Sequence, residues 1–106
     1  MNVGIIGLGL IGGSLGRSIV AKTQHKVFAF DIDAQSLKTG KLLKAYHEVL
    51  TDENAKELDI LFIALYPKTA ILVAKEYASK LKDGALVVDL CGNKRTIVKA
   101  LKEISK

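Results

Sequence analysis

Two hydrophobic periodicities alternate along the chain. Short apolar runs rich in β-branched and aromatic residues predict buried strands, and apolar residues three and four positions apart predict helices that cover a sheet. The predicted strands are residues 2–7, 26–31, 46–49, 58–65 and 85–90. The predicted helices are residues 10–22, 34–44, a helical turn at 51–56, a helix over 67–81, and 96–105.

The same spacing predicts which helical side chains face the sheet. In the first helix we expect four inward residues: Ile11, Leu15, Ile19 and Val20. In the second helix we expect Leu37 and Leu43 to face inward, with Asp33 as the N-cap. Pro67 fits the first turn of the third helix, where its missing N–H is harmless.

Strands that alternate with helices imply right-handed crossovers and a parallel sheet covered on both faces. We therefore predict an α/β fold over residues 1–106, a doubly wound parallel sheet of the Rossmann dinucleotide-binding class, as one domain. Its five strands should lie in the order 3-2-1-4-5. The usual fold of this class continues to a sixth strand, so we expect these residues to be the front part of a longer protein.

Composition fits a soluble globular domain, because 49% of the 106 residues are hydrophobic and 25% are charged. A single cysteine, Cys91, excludes a disulfide framework. The two histidines, His25 and His47, make a metal site unexpected, and we expect both at the surface. No apolar run is long enough to span a bilayer and no basic leader precedes the first strand. These features favour a cytoplasmic protein without a membrane partner.

The net charge of +5 first suggests a nucleic-acid partner. Residues 94–106 hold five basic residues and one acidic residue, a local charge of +4, which leaves +1 for residues 1–93. The excess charge thus lies on one terminal helix, where it is typical of a solvated face. We therefore expect no nucleic-acid binding.

The clearest chemical motif is a G-x-G-x-x-G pattern that closes the first strand and opens the first helix. In such a turn Gly7 permits the bend, Gly9 lets a diphosphate approach bare backbone, and Gly12 lets the helix pack closely on the sheet. Free amides and the helix dipole favour an anion there. The predicted cofactor-binding residues of the turn are Gly7, Leu8, Gly9, Leu10, Ile11 and Gly12. A glycine-rich bend without a ligand is the alternative.

Asp31 is the second element of this motif, since it ends the second strand 19 residues after Gly12. A carboxylate at that place can accept hydrogen bonds from the adenosine ribose, and it repels a 2′-phosphate. No basic residue follows directly, so NAD is the predicted cofactor rather than NADP. The alternative role for Asp31, a turn residue before the helix, can be filled by Asp33.

Further candidates follow the fourth and fifth strands. Leu65 and Tyr66 end the fourth strand beside the expected ligand crevice, and Tyr66 is either a cofactor contact or a loop aromatic. After the fifth strand, Asn93 and Lys94 either contact an anionic substrate or the nicotinamide carboxamide, or else cap the last helix. Cys91 fits a small packed group better than a nucleophile, because no base is paired with it.

Several segments resemble prephenate dehydrogenases of tyrosine biosynthesis. Residues 1–16 look like the amino terminus of that family, and Gly12-Gly13-Ser14-Leu15 is more specific than the generic glycine pattern. Residues 30–31, 65–67 and 88–94 fall where the family has its aspartate, its post-strand proline and its D-x-x-S-x-K-like segment. The resemblance covers the cofactor domain only.

The resemblance implies NAD-dependent oxidative decarboxylation of prephenate to 4-hydroxyphenylpyruvate, or the arogenate equivalent, by a full-length homodimer. Gly92 stands where the family commonly has serine, so no hydroxyl is available there. The family's catalytic histidine and substrate-binding arginines come after the segment that ends at Lys106, so no catalytic residue is assigned. We expect the 106 residues alone to bind NAD without turnover.

Two other functions stay open. One is the cofactor domain of another small-acid dehydrogenase, of the 3-hydroxyisobutyrate or pyrroline-carboxylate reductase type. Ile11 and Asp31-Ile32 fit those enzymes less well than they fit prephenate dehydrogenases. The other is a dinucleotide-sensing module without chemistry, for which an attached regulatory element would be the distinguishing feature.

Overall fold

The structure, a computed structural model, describes residues 1–90 and contains one parallel sheet. Its elements follow one another as β1 Asn2–Ile6, α1 Leu10–Lys22, β2 Lys26–Phe30, α2 Ala34–Leu42, β3 Glu48–Val49, β4 Ile60–Ile63, α3 Pro67–Ala78 and β5 Leu86–Asp89. A single 3₁₀ turn at Ala55–Glu57 precedes β4. The predicted helix over 96–105 lies outside the described residues.

The strand order is β3-β2-β1-β4-β5 and every pair is parallel, which confirms the predicted class and order. Ile6, at the end of β1, is level with Phe30 of β2 and with Ile63 of β4. The loops that follow these three strands therefore emerge at one edge of the sheet. The chain crosses from one side of β1 to the other between β3 and β4, and ligands of open α/β sheets bind at such a switch point.

Each face of the sheet carries its own hydrophobic core. On one face, α3 and the segment before β4 bury Phe28, Leu58 and Leu61. On the other face, α1 and α2 pack over Val3, Ile5 and their neighbours. Both faces of the central strands are thus dry, which is why those strands are apolar without alternation.

The inward face of α1 differs from the prediction. Leu15, Ile19 and Val20 do pack against the sheet, but Ile11 is 51% exposed. The residues of α1 that are buried are Gly12 and Gly16. Ile11 stands in the first turn, at the mouth of a cleft rather than over the sheet, so its inward placement was wrong.

The second helix is confirmed at its start and corrected at its end. The Asp33 carboxylate caps α2 by accepting a hydrogen bond from the amide of Gln35. The helix ends at Leu42, and Leu43, predicted to face inward, is 51% exposed. Leu37 packs against the core as predicted. Gly40 is buried beside it, and an added Cβ there would lie 3.2 Å from the side chains of Leu8 and Tyr46.

Candidate functional site

The turn after β1 depends on glycine at position 7. Gly7 has φ +96°, a left-handed conformation that L side chains rarely adopt. A Cβ on this residue would also lie 2.5 Å from the carbonyl oxygen of Ala64. The turn therefore bends sharply against the end of β4 and brings the loops after β1 and β4 together.

Gly12 and Gly9 differ in what surrounds them. A Cβ on Gly12 would lie 1.8 Å from the carbonyl oxygen of Gly7, so only glycine lets α1 begin so close to the end of β1. A Cβ on Gly9 would meet nothing within 4 Å, and its φ of −71° suits any residue. Packing thus requires glycine at position 12, whereas at position 9 glycine only keeps the adjacent space open.

The first turn of α1 presents uncompensated backbone donors. Gly9 is the N-cap, it supplies no side-chain cap, and the first turn contains no acidic residue. The amide of Gly13 donates to the carbonyl oxygen of Gly9 at 2.8 Å, so the amides of Leu10, Ile11 and Gly12 come before the first helical hydrogen bond. Such amides, together with the positive end of the helix dipole, favour an anion.

The carboxylate of Asp31 is fixed against this turn by two backbone donors. Its Oδ2 accepts the amide of Leu8 at 2.7 Å, and its Oδ1 accepts the amide of Asp33 at 2.9 Å. An ionised carboxylate has about four acceptor positions, so Asp31 can still accept hydrogen bonds from a ligand. The structure therefore brings the predicted acid and the predicted glycine turn into direct contact.

This contact changes the role available to Leu8. Its side chain is buried in the core beneath α1 and α2, and its amide is committed to Asp31. Leu8 is therefore placed to orient the acid, and its amide does not point freely at an anion. No local pattern in the chain indicates this hydrogen bond, since the two residues are 23 positions apart.

An open cleft of about 670 Å³ lies beside the turn. Its lining residues are Gly9, Leu10, Ile11, Gly12, Ala64, Leu65, Tyr66 and Thr69. The structure thus brings the predicted residues Leu65 and Tyr66 together with the glycine turn. The side chain of Tyr66 is 86% exposed at the rim, and Leu65 is partly buried.

A second, narrower pocket of about 210 Å³ lies between the end of β2 and α3. Its walls are largely apolar and include Phe30, Ile32 and Val73, and Asp31 also lines it. Burial raises the pKa of the Tyr77 phenol in its wall above the usual value, so this side chain stays neutral.

Sequence reasoning missed the contribution of α3 to this pocket. Thr69, Val73 and Glu76 recur at the spacing of one helix face, which lies beside the buried face formed by Ala70, Ala74 and Tyr77. What the spacing does not give is the partner of that face, which is the end of β2.

The remaining candidates lie elsewhere. His25 Nδ1 is 3.0 Å from the amino terminus, and His47 Nδ1 accepts the amide of Val27 at 2.9 Å, so both rings bond to the backbone away from the cleft. Cys91, Asn93 and Lys94 fall outside the described residues.

Within residues 1–90 no cluster of His, Cys, Asp and Glu could hold a metal ion. No helix in that range combines the length and apolar character that a membrane crossing needs.

Residues 15–106 match the family model described as the nucleotide-binding domain of prephenate dehydrogenase. The chain belongs to this family. The predicted resemblance is thereby confirmed, and the match begins after the glycine turn, so the geometry of that turn supports nucleotide binding independently. No curated protein is similar enough in sequence to count as a relative.

Solved structures of several dehydrogenases share the fold of this chain. Arogenate dehydrogenase from Synechocystis superposes with a TM-score of 0.86 at 19% identity, over 98% of this chain and 37% of that chain. Prephenate dehydrogenase from A. aeolicus, in complex with hydroxyphenyl propionate and NAD+, gives 0.83 at 24% identity, over 99% and 38%. 3-Hydroxyisobutyrate dehydrogenase from Mycobacterium tuberculosis gives 0.82 at 15% identity, over 98% and 36%. The chain therefore spans well under half the length of these relatives.

Proposed function

We propose that this chain is the NAD-binding domain of a prephenate or arogenate dehydrogenase. The observation that carries the proposal is the Asp31 carboxylate, which accepts the amide of Leu8 at 2.7 Å and so stands beside a glycine turn that opens onto a cleft. An acid at this place gives the ribose of NAD an acceptor and repels the 2′-phosphate of NADP.

The residues present fit a dinucleotide. A Cβ added to Gly9 would meet no protein atom within 4 Å, so a diphosphate can approach the backbone through this open space. The amides of Leu10, Ile11 and Gly12 would donate to it, while Gly7 and Leu8 shape the turn and orient Asp31. The helix dipole contributes about half a positive charge at that end.

The adenine ring would occupy the pocket between the end of β2 and α3. That pocket adjoins Asp31, so a base attached to the bound ribose reaches its apolar walls directly. Burial of a flat ring between Phe30, Ile32 and Val73 supplies affinity through the hydrophobic effect.

Bound NAD supplies a nicotinamide ring that accepts a hydride. Leu65 and Tyr66 line the cleft on the side of β4 and would flank the cofactor, with the exposed Tyr66 side chain free to cover it. Asn93 and Lys94 stay proposed substrate contacts. We also propose that the whole enzyme catalyses oxidative decarboxylation of prephenate or arogenate. It would act in the cytoplasm as a homodimer.

A dehydrogenase of the 3-hydroxyisobutyrate type is the second candidate, because that enzyme from Mycobacterium tuberculosis shares the fold with a TM-score of 0.82. The family match over residues 15–106 favours the prephenate class. Assaying the enzyme that contains this domain with prephenate, arogenate and 3-hydroxyisobutyrate separates the candidates, since only the correct substrate produces NADH.

Calorimetric titration of the chain with NAD and NADP tests the cofactor. We expect NAD to bind at least tenfold more tightly than NADP, and Asp31→Ser to narrow that ratio because the repulsive carboxylate is gone. Asp33→Ser is the matched control, since Asp33 caps α2 and lines neither the cleft nor the pocket. An unchanged ratio in Asp31→Ser would remove Asp31 from the site.

A further inference from the structure

One acidic side chain in the adenine pocket has no part in the binding scheme above. Glu76 projects from α3 into the lining of the pocket, whose other walls include Phe30, Ile32 and Val73. Its side chain is 62% exposed, so the carboxylate stands at the open rim of this pocket, where a bound ligand can reach it. The following inference rests on the proposed function, because it concerns the ligand of that same pocket.

The position of Glu76 along α3 relates it to one part of the ligand. Thr69 lines both the cleft beside the glycine turn and the pocket, so it marks the end nearest the diphosphate. Glu76 follows seven residues later on the same face, roughly 10 Å farther along the helix at 1.5 Å per residue. Glu76 therefore stands at the end of the pocket away from the diphosphate, where the outer edge of a base would lie.

The carboxylate of Glu76 has unused acceptor capacity. Its Oε1 forms an ion pair with Nζ of Lys80 at 3.9 Å, a distance too long for a hydrogen bond, and Lys80 donates its hydrogen bond to Asp52 at 2.8 Å. Within residues 1–90 no protein donor hydrogen-bonds to Glu76. An ionised carboxylate only accepts hydrogen bonds, so it discriminates between a ligand that presents N–H and one that presents a carbonyl oxygen.

We propose that Glu76 accepts a hydrogen bond from the exocyclic amine of the adenine ring and thereby selects an amino-substituted purine. A purine with a carbonyl oxygen at that position, as in hypoxanthine, places two acceptors face to face. Asp31 then selects the sugar and Glu76 selects the base, from opposite ends of one pocket.

The experiment compares NAD with nicotinamide hypoxanthine dinucleotide, whose base has a carbonyl oxygen in place of the exocyclic amine and a proton on N1. A carboxylate aligned with the exocyclic group then faces an acceptor instead of a donor. Calorimetry on the 106-residue chain should show NAD favoured by on the order of tenfold, the effect of one hydrogen bond to a charged group. Glu76→Gln should reduce this preference to about twofold or less, because a side-chain amide can either donate or accept. Glu53→Gln, the same change at an exposed residue outside the pocket, should keep the wild-type preference.

The outcomes separate this inference from the proposed function. Equal affinity of the wild-type chain for both dinucleotides, or an undiminished preference in Glu76→Gln, overturns the role of Glu76 and leaves NAD binding intact. Failure of the wild-type chain to bind either dinucleotide overturns the proposed function and this inference together. Asp31→Ser should weaken both dinucleotides in parallel, because they share the same ribose.

Discussion

Two glycines three positions apart, Gly9 and Gly12, serve opposite physical purposes. Gly12 is required by the fold, since a Cβ there would lie 1.8 Å from a backbone carbonyl oxygen that cannot move independently. Gly9 is not required by the fold, since a Cβ there would stand in open space with an ordinary φ of −71°. Within one motif, Gly12 therefore serves the packing of the fold and Gly9 serves the binding of the ligand.

This difference predicts opposite effects of substitution. Gly12→Ala should lower the free energy of unfolding by about 3 kcal/mol, because the helix must shift to relieve the clash. Gly9→Val should change it by no more than about 1 kcal/mol while abolishing NAD binding, because the side chain fills the diphosphate space. Urea denaturation and calorimetry measure the two quantities.

The matched control is Gly13→Ala, where an added Cβ would lie 3.4 Å from the nearest atom, the carbonyl oxygen of Leu8, and outside the cleft. We expect this variant to retain both stability and NAD affinity. Tight NAD binding by Gly9→Val would show that the diphosphate does not rest on this turn.

At the scale of elements, the edge of the sheet opposite the cleft is held together by Asp59, directly before β4. Its carboxylate accepts the amide of Asn2 at 2.7 Å and the Nζ of Lys82 at 2.5 Å. Its backbone also bonds to Asn2 and Leu86, so β1, β4 and β5 start in register. The Lys82 hydrogen bond, and then the Asn2 amide, lower the pKa of Asp59 below its ordinary value.

This lowered pKa predicts a stability that depends on pH. A carboxylate whose pKa is lower in the folded state stabilises the fold above its unfolded pKa, and this contribution is lost as the pH falls through the folded value. Asp59→Asn should therefore lower the melting temperature at neutral pH, and the gap to wild type should shrink in acid. Thermal melts from pH 7 down to about pH 3 measure this gap.

Asp83→Asn is the control, because Asp83 is exposed in the turn before β5 and residues 1–90 give it no ion pair. Its melting temperature should follow wild type at every pH. A gap for Asp59→Asn that stayed constant into acid would show that the ionised carboxylate is not what stabilises this edge.

At the scale of the whole molecule, residues 1–90 form a binding cleft that lacks charged acid–base side chains. The cleft is lined by backbone, apolar side chains, Thr69 and Tyr66, and no His, Lys, Asp or Glu of residues 1–90 lines it. Dehydrogenation needs a group that takes the proton of the substrate hydroxyl at working pH. Enzymes for different substrates share this fold, so the fold itself does not set the reaction.

We therefore expect the 106 residues alone to bind NAD and to form no NADH with prephenate or arogenate. Absorbance of NADH, recorded with a full-length prephenate dehydrogenase as the positive control, measures this directly. Turnover by the isolated chain would show that the domain carries catalytic groups of its own.

The parts of the fold that were predictable depend on local patterns. Apolar runs, helical spacing and Asp33 as an N-cap indicated the elements, and their alternation indicated the parallel order. The inward placement of Ile11 and Leu43 failed, because periodicity shows which residues share a face but not how far a helix extends over the sheet. Glycines set that distance, and they carry no hydrophobic signal.

The sequence by itself determined the class of fold and the glycine turn, because backbone sterics and burial act within a few residues of the chain. Only the tertiary structure decided that Asp31 binds the amide of Leu8, 23 residues away, and that Glu76 on α3 lines the same pocket as Asp31. These pairings arise when parallel strands place their loops at one edge of the sheet. Sequence patterns do not reveal such contacts, because the residues are far apart along the chain and meet only through the crossover connections.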